Sequence, residues 1–197
     1  FFSPDGQWLA FFADGKLKKI SVTGGPAVTL ADASGGRGGA WGDDGNIVFT
    51  PAVATGTGLR RVSSGGGKAE PLTKLGEGEA VHRWPQVLPG AKSVLFTSHS
   101  AISDFDAANI VVQPLPAGVP NVVVRGGYHA LYVASGHILY IHDGTLFAVP
   151  FDLNRLEVTG QAVPAIEGVN GEPNSGAAQF AVSSAGTLVY LPGAYSN

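Results

Sequence analysis

One pattern recurs five times along the chain and constrains its fold more than any other feature. A short apolar strand runs into a tight turn, and a second strand ending in an aromatic residue follows. The copies read FFSPDGQWLAFF (1–12), AWGDDGNIVFT (40–50), PQVLPGAKSVLFT (85–97), ALYVASGHILYI (130–141) and FAVSSAGTLVYL (180–191). Aligned on the turn, the anchors are Gly6, Gly45, Ala91, Gly136 and Gly186, spaced by 39, 46, 45 and 50 residues. That is the period of four-stranded propeller blades, about 40 to 50 residues. Pro4-Asp5-Gly6 and Asp43-Asp44-Gly45 place glycine where a hairpin turn requires a left-handed residue. Four residues before each anchor stand Phe2, Trp41, Val87, Tyr132 and Val182, apolar positions suited to packing between neighbouring blades.

After each of the first four hairpins come two further strand-like runs bounded by Gly, Pro, Asn or Asp, the expected strand signal. The third strands are predicted over 17–22, 59–62, 109–114 and 145–150, and the fourth near 28–30, 69–72, 121–124 and 162–167. No stretch keeps a helical period. The expected fold is therefore all-β, a β-propeller of four-stranded antiparallel blades. About 4.5 blades of a six- to eight-bladed ring are present, in about 18 strands. The whole of 1–197 is read as one partial propeller domain, with units at 1–33, 34–76, 77–126, 127–170 and 171–197. A β-sandwich is the alternative, but it needs no constant four-strand period.

Composition agrees with a folded, turn-rich chain. Of 197 residues, 44% are apolar and 14% charged, with 29 Gly, 13 Pro and no Cys. Disulfides, thiolate metal sites and cysteine nucleophiles are thereby excluded. A net charge of −3 without a basic run gives nucleic-acid binding no electrostatic support. No apolar run reaches the roughly 18 to 20 residues of a membrane span. The chain starts inside a strand and lacks Met, so it reads as a segment of a longer polypeptide. An open flank is expected on its first or last unit, carrying Phe1, Phe2, Phe180 and Tyr190 and covered by further blades or a second copy.

FSPDGQWLAF, from Phe2 to Phe11, resembles the WD40-like, TolB-type (PD40) propeller repeat, in which an apolar-Ser-Pro-Asp-Gly turn joins two inner strands. HRWPQ (82–86), DGTLFAVPFDL (143–153) and AQFAVSSAGTLVYLPG (178–193) resemble the propeller that follows the membrane helix of many bacterial receptor serine/threonine kinases. Later units depart from the turn motif, showing GDDG, LPGA, ASGH and SSAG. The resemblance implies a non-catalytic sensor or scaffold module of a bacterial signalling or envelope protein, in an extracytoplasmic (periplasmic or extracellular) setting.

Catalytic motifs are missing. There is no kinase signature and no Gly-x-Ser-x-Gly elbow. Ser64-GGGK-Lys68 lacks the flanking residues of a phosphate loop and reads as a turn between outer strands. Asp104, Asp106 and Asn109 could offer oxygen ligands, but without the further carboxylates and Gly of a calcium loop. No metal and no cofactor is expected. Position in the repeat points instead to a binding site. Seven and eight residues before the anchors lie Arg37, Arg83 with Trp84, Tyr128 with His129, and Gln179, with His82 adjoining. Equivalent positions of radially repeated blades ring one axis. Arg37, His82, Arg83, Tyr128, His129 and Gln179 are therefore the expected ligand-binding set. Two arginines among flat side chains suit a protein, a peptide terminus or a small anionic ligand. The competing function is an enzyme propeller, either the cap of a serine hydrolase or peptidase or a lactonase-like ring.

Overall fold

Each turn anchor imposes the same backbone. In the computed structural model, which describes residues 1–193, Gly6, Gly45, Ala91, Gly136 and Gly186 all have positive φ, between 53° and 86°. Each donates its N–H to the carbonyl three residues back: Ser3, Gly42, Leu88, Val133 and Ser183. In the first copy the turn is locked further by Asp5, whose carboxylate accepts from the Ser3 hydroxyl and the Gln7 N–H. The repeat is thus a repeat of one turn geometry.

The hairpins grow into antiparallel sheets that follow one another along the chain. The first sheet holds β1 (Trp8–Ala13), β2 (Lys16–Ser21) and β3 (Val28–Asp32), and Phe2 bridges to Leu9 as the remnant of an inner strand. The second holds β4 (Gly39–Trp41), β5 (Asn46–Phe49), β6 (Arg60–Ser63) and β7 (Glu70–Pro71). The third holds β8 (Val81–Val87), β9 (Ser93–His99), β10 (Asn109–Pro114) and β11 (Asn121–Arg125). In the fourth, β12 (Tyr128–Val133), β13 (His137–His142) and β14 (Thr145–Asp152) pair in order. There β14 also takes both β15 (Glu157–Val158) and β16 (Val163–Ile166). Two short hairpins close the series: β17 (Gly171–Glu172) with β18 (Ala177–Ala178), and β19 (Phe180–Val182) with β20 (Leu188–Tyr190). The described residues thus hold twenty strands and two 3-10 turns but no α-helix. β15 and the β17–β18 hairpin add three strands to the expected eighteen, and the first inner strand, reduced to the Phe2 bridge, takes one away.

Packing follows the period of two. In β5, Ile47 and Phe49 join Ala10, Leu17 and Leu30 of the first sheet, while Val48 joins Val94 and Phe96 of the third. In β9 the phase repeats: Val94 and Phe96 face back, and Leu95 faces forward onto Ala130, Ile138 and Tyr140. In β13, Ile138 and Tyr140 face back, whereas Leu139 and Ile141 face the fifth unit with Val169 and Phe180. Each middle sheet is therefore buried on both faces, which a two-sheet sandwich cannot provide. At about 25 cal/mol per Å² of buried apolar surface, these four inter-sheet layers are the main source of stability.

The expected open flank needs correction. Phe2 and Tyr190 are exposed, with Val189 and Leu191 beside Tyr190. Phe180, however, is 7% exposed, held under His129, and Phe1 packs on the Phe12 ring. Ring–ring contact within the sheet stack wins over exposure for both. No helix among the described residues is long and apolar enough to cross a membrane.

Candidate functional site

The inner strands lie side by side, β4 against β8, β8 against β12 and β12 against β18. Two of them carry a bulge at the same repeat position. Register shifts occur between Arg83 and Gln86 in β8, and between Tyr128 and Leu131 in β12. At each bulge one residue turns left-handed: Trp84 at φ 52° and His129 at φ 53°. Gly38, which stands at the matching place before β4, has φ 90°. Glycine takes this backbone without penalty. For Trp84 and His129 it costs on the order of 1–3 kcal/mol each.

The bulges stack across the units. A Cβ on Gly38 would meet the Trp84 ring at 2.7 Å, so that ring lies against bare backbone. Trp84 and His129 stand 5.0 Å apart between ring centroids, and His129 and Phe180 5.4 Å. In the fifth unit the neighbouring residue Phe180 occupies the place in the stack that register would give to Gln179. Gln179 itself points outward and is exposed.

Immediately before the bulges sit the arginines. Arg83 is 2% exposed and lies with its guanidinium carbon 4.6 Å from the Phe105 ring centroid. Its Nη1 donates to the Ser175 carbonyl at 3.0 Å and its Nη2 to the Val53 carbonyl at 3.2 Å. Trp84 Nε1 shares the Ser175 carbonyl, also at 3.0 Å. Arg37 is half-buried, bonds only the neighbouring Gly36 carbonyl through its side chain, and accepts the Trp84 N–H at its own carbonyl. The Nε atoms of both arginines are buried and have no hydrogen-bond partner among the described residues. Burial, with Arg37 close by, pushes the Arg83 guanidinium down to about 10. Neither arginine forms an ion pair with an acidic side chain among the described residues.

His129 is held neutral. Burial pushes it down to about 4, against a smaller opposing pull from the Gly176 carbonyl. Its Nδ1 accepts the Ala178 N–H at 3.2 Å, so the proton of the neutral ring lies on Nε2.

Arg37, Arg83 and His129, then, come together around Trp84 and Ser175. Tyr128 does not join them: it is buried in the layer toward the fifth unit, with its hydroxyl against Gly171. Burial, aided by Asp106, Asp143 and Glu172, raises its phenol far above the ordinary value. His82 faces the second sheet instead. Thr73 Oγ1 accepts the Leu59 N–H and donates to His82 Nδ1 at 2.7 Å, and His82 Nε2 donates to Glu79 Oε2 at 3.1 Å. Burial lowers the His82 pKa despite Glu79. Thr73 is 5% exposed and already bonded to backbone. This relay ties the Leu59–Thr73 segment to β8. It is an inter-sheet strut, with no free nucleophile.

Among the described residues no group of three or more His, Asp or Glu is placed to hold a metal ion. Asp106 instead accepts the Asp143 N–H at 2.8 Å. Sequence reasoning overlooked Gly38, Ser175 and the β17–β18 turn. A glycine seven residues before the anchor was the available signal for the first of these.

No family model matches the sequence, and no curated protein matches it significantly. Solved structures do. TolB from Acinetobacter baumannii is 16% identical over 84% of this chain and 42% of its own, with a TM-score of 0.64. Regucalcin from Agrobacterium tumefaciens, described as a calcium-binding protein, is 13% identical over 97% of this chain and 65% of its own, at 0.68. A gluconolactonase from Xanthomonas campestris is 12% identical over 95% and 67%, at 0.70. The fold is therefore all-β and TolB- or β-propeller-like. The chain spans about two fifths to two thirds of the length of these structures.

Proposed function

We propose that this chain is a non-catalytic binding module, a sensor or scaffold propeller segment of a larger bacterial signalling or envelope protein. In this reading it works outside the cytoplasm and takes a carboxylate-bearing partner, such as a peptide terminus, at Arg37 and Arg83. One observation carries the reading: two adjacent guanidiniums, one almost fully buried, have no acidic partner among the described residues, and each holds a buried Nε without an acceptor. A buried cation lacking a counter-charge is costly, and a carboxylate supplies both the charge and planar acceptor geometry. TolB-type propellers among the structural neighbours share this fold. The gluconolactonase and oligogalacturonate lyase neighbours keep an enzyme propeller as the competing reading.

Calorimetry with a short peptide bearing a free C-terminus, against its C-terminal amide, tests the proposal. The free acid should bind at least about tenfold more tightly, a difference of roughly 1.4 kcal/mol. Arg37→Gln, which leaves the Arg83 tie intact, should abolish that preference. Equal binding of acid and amide by the folded protein sinks the reading.

A further inference from the structure

A second feature of the inner strands has different chemistry. Between the first sheet and the bulges lies a cavity of about 470 Å³, within the range of small-molecule sites, about 300–1,000 Å³. Five of its walls are rings: Phe1, Phe11, Phe12, Trp84 and His129. Bare backbone forms much of the rest. A Cβ on Gly36 would lie 2.3 Å from the Phe12 ring, and one on Gly39 2.6 Å from the Phe1 ring. These rings therefore rest on glycine backbone, which fixes their positions without a side chain in between. Trp84 and His129 enter the cavity from strained left-handed backbone, as the surrounding contacts require. No Asp, Glu, Lys or Arg lines it, and Arg37 and Arg83 are both outside the lining.

The other large cavity, of about 670 Å³ between the first and second sheets, is lined by Asp32, Arg60 and hydroxyl groups and lacks any aromatic wall. Of these two, the inner cavity combines ring faces with the absence of charge. A charged group entering it would lose hydration without gaining a partner. A neutral ring would meet aromatic walls tilted to one another by 47° to 51°, so that it can stack on one while presenting its edge to another.

We propose that this cavity is a binding site for an uncharged aromatic group, separate from the arginine site, whose two guanidiniums do not line it. Its occupant is a free neutral ring of phenol size.

The test uses the whole chain with p-cresol as probe. Calorimetry should show saturable one-to-one binding. The side-chain N–H resonance of Trp84, assigned through Trp84→Phe, should shift while those of Trp8 and Trp41 stay. Benzoate should bind at least about tenfold more weakly than p-cresol. Phe11 belongs to none of the buried layers, so Phe11→Asp should leave the fold intact while lowering p-cresol affinity by tenfold or more. Leu131→Trp, which fills the cavity, should do the same. Arg37→Gln should leave p-cresol binding unchanged, so failure of the carboxylate reading is distinguishable from failure of this one. Absence of saturable binding to the folded chain overturns the proposal. So does unchanged affinity in Phe11→Asp, or benzoate binding as well as p-cresol.

Discussion

The tip turns and the inner-strand bulges both use left-handed residues at fixed repeat positions, yet they treat them differently. At the tips, five copies keep one geometry, and four of the five anchors are glycine. On the inner strands, the matching left-handed position carries Gly38, Trp84 and His129 in turn. A tip turn only has to reverse the chain in solvent, so glycine serves at all but Ala91. A bulge side chain has neighbours on both sides. Its identity is set by what it must touch, and strain is retained where contacts repay it. Divergence on a constant backbone therefore marks the region where the units have taken separate roles.

The largest expected effect breaks this contrast at Gly38. Gly38→Ala adds a Cβ at 2.7 Å from the Trp84 ring and 2.8 Å from its Cα, on a backbone at φ 90°. Left-handed strain and overpacking together should cost roughly 4 kcal/mol in urea unfolding. Gly136→Ala, at a tip anchor with its nearest neighbour 3.9 Å away, should cost only about 1 kcal/mol. Equal losses would show that the bulges are no more constrained than the tips.

Acidification comes next. His129, down at about 4, and His82, also lowered by burial, both bind fewer protons in the folded than in the unfolded chain below about 6.5. Stability is then complete above about pH 6.5 and falls as pH drops toward 4. His129 alone accounts for up to about 3 kcal/mol of that loss. Denaturant midpoints that do not move between pH 7 and 4.5 would refute the burial of these imidazoles.

The smallest effect is a gain. Ala91 is the one anchor that holds φ 53° without being glycine. Ala91→Gly should relieve about 1–2 kcal/mol of strain and lose part of it to chain entropy, for a net gain of about 0.5–1 kcal/mol. A loss of stability would mean that the anchor's methyl group packs usefully.

What the sequence revealed follows from the same contrast. Turn anchors and strands were legible because four of the five tip turns place glycine at the anchor, and a strand buried on both faces is apolar throughout. Short β17 and β18 were not, since GEPNSGAA holds no β-branched or aromatic residue and is held by contacts with Trp84 and His129. Of the six candidate residues, Arg37, Arg83 and His129 come together. His82 faces elsewhere because strand alternation sends it to the face opposite its neighbour Arg83, whereas Tyr128, at the repeat position of Arg83, is taken into the apolar layer with Val169 and Phe180. Gln179 is displaced by Phe180, and no repeat arithmetic could foresee that the fifth inner strand would omit the bulge.

Arg83 has a consequence for how the chain acquires its structure. Sheets that touch only their neighbours in sequence behave as a linear array, able to form or fray one unit at a time. Arg83 departs from that scheme: it bonds Val53, 30 residues earlier, and Ser175, 92 residues later. Those bonds require units two, three and five to be in place together, and closing so long a loop carries an entropic penalty that only assembled sheets can offset. The side chain thus acts as a keystone, set late in folding, which turns a row of semi-independent repeats into a body that melts as one.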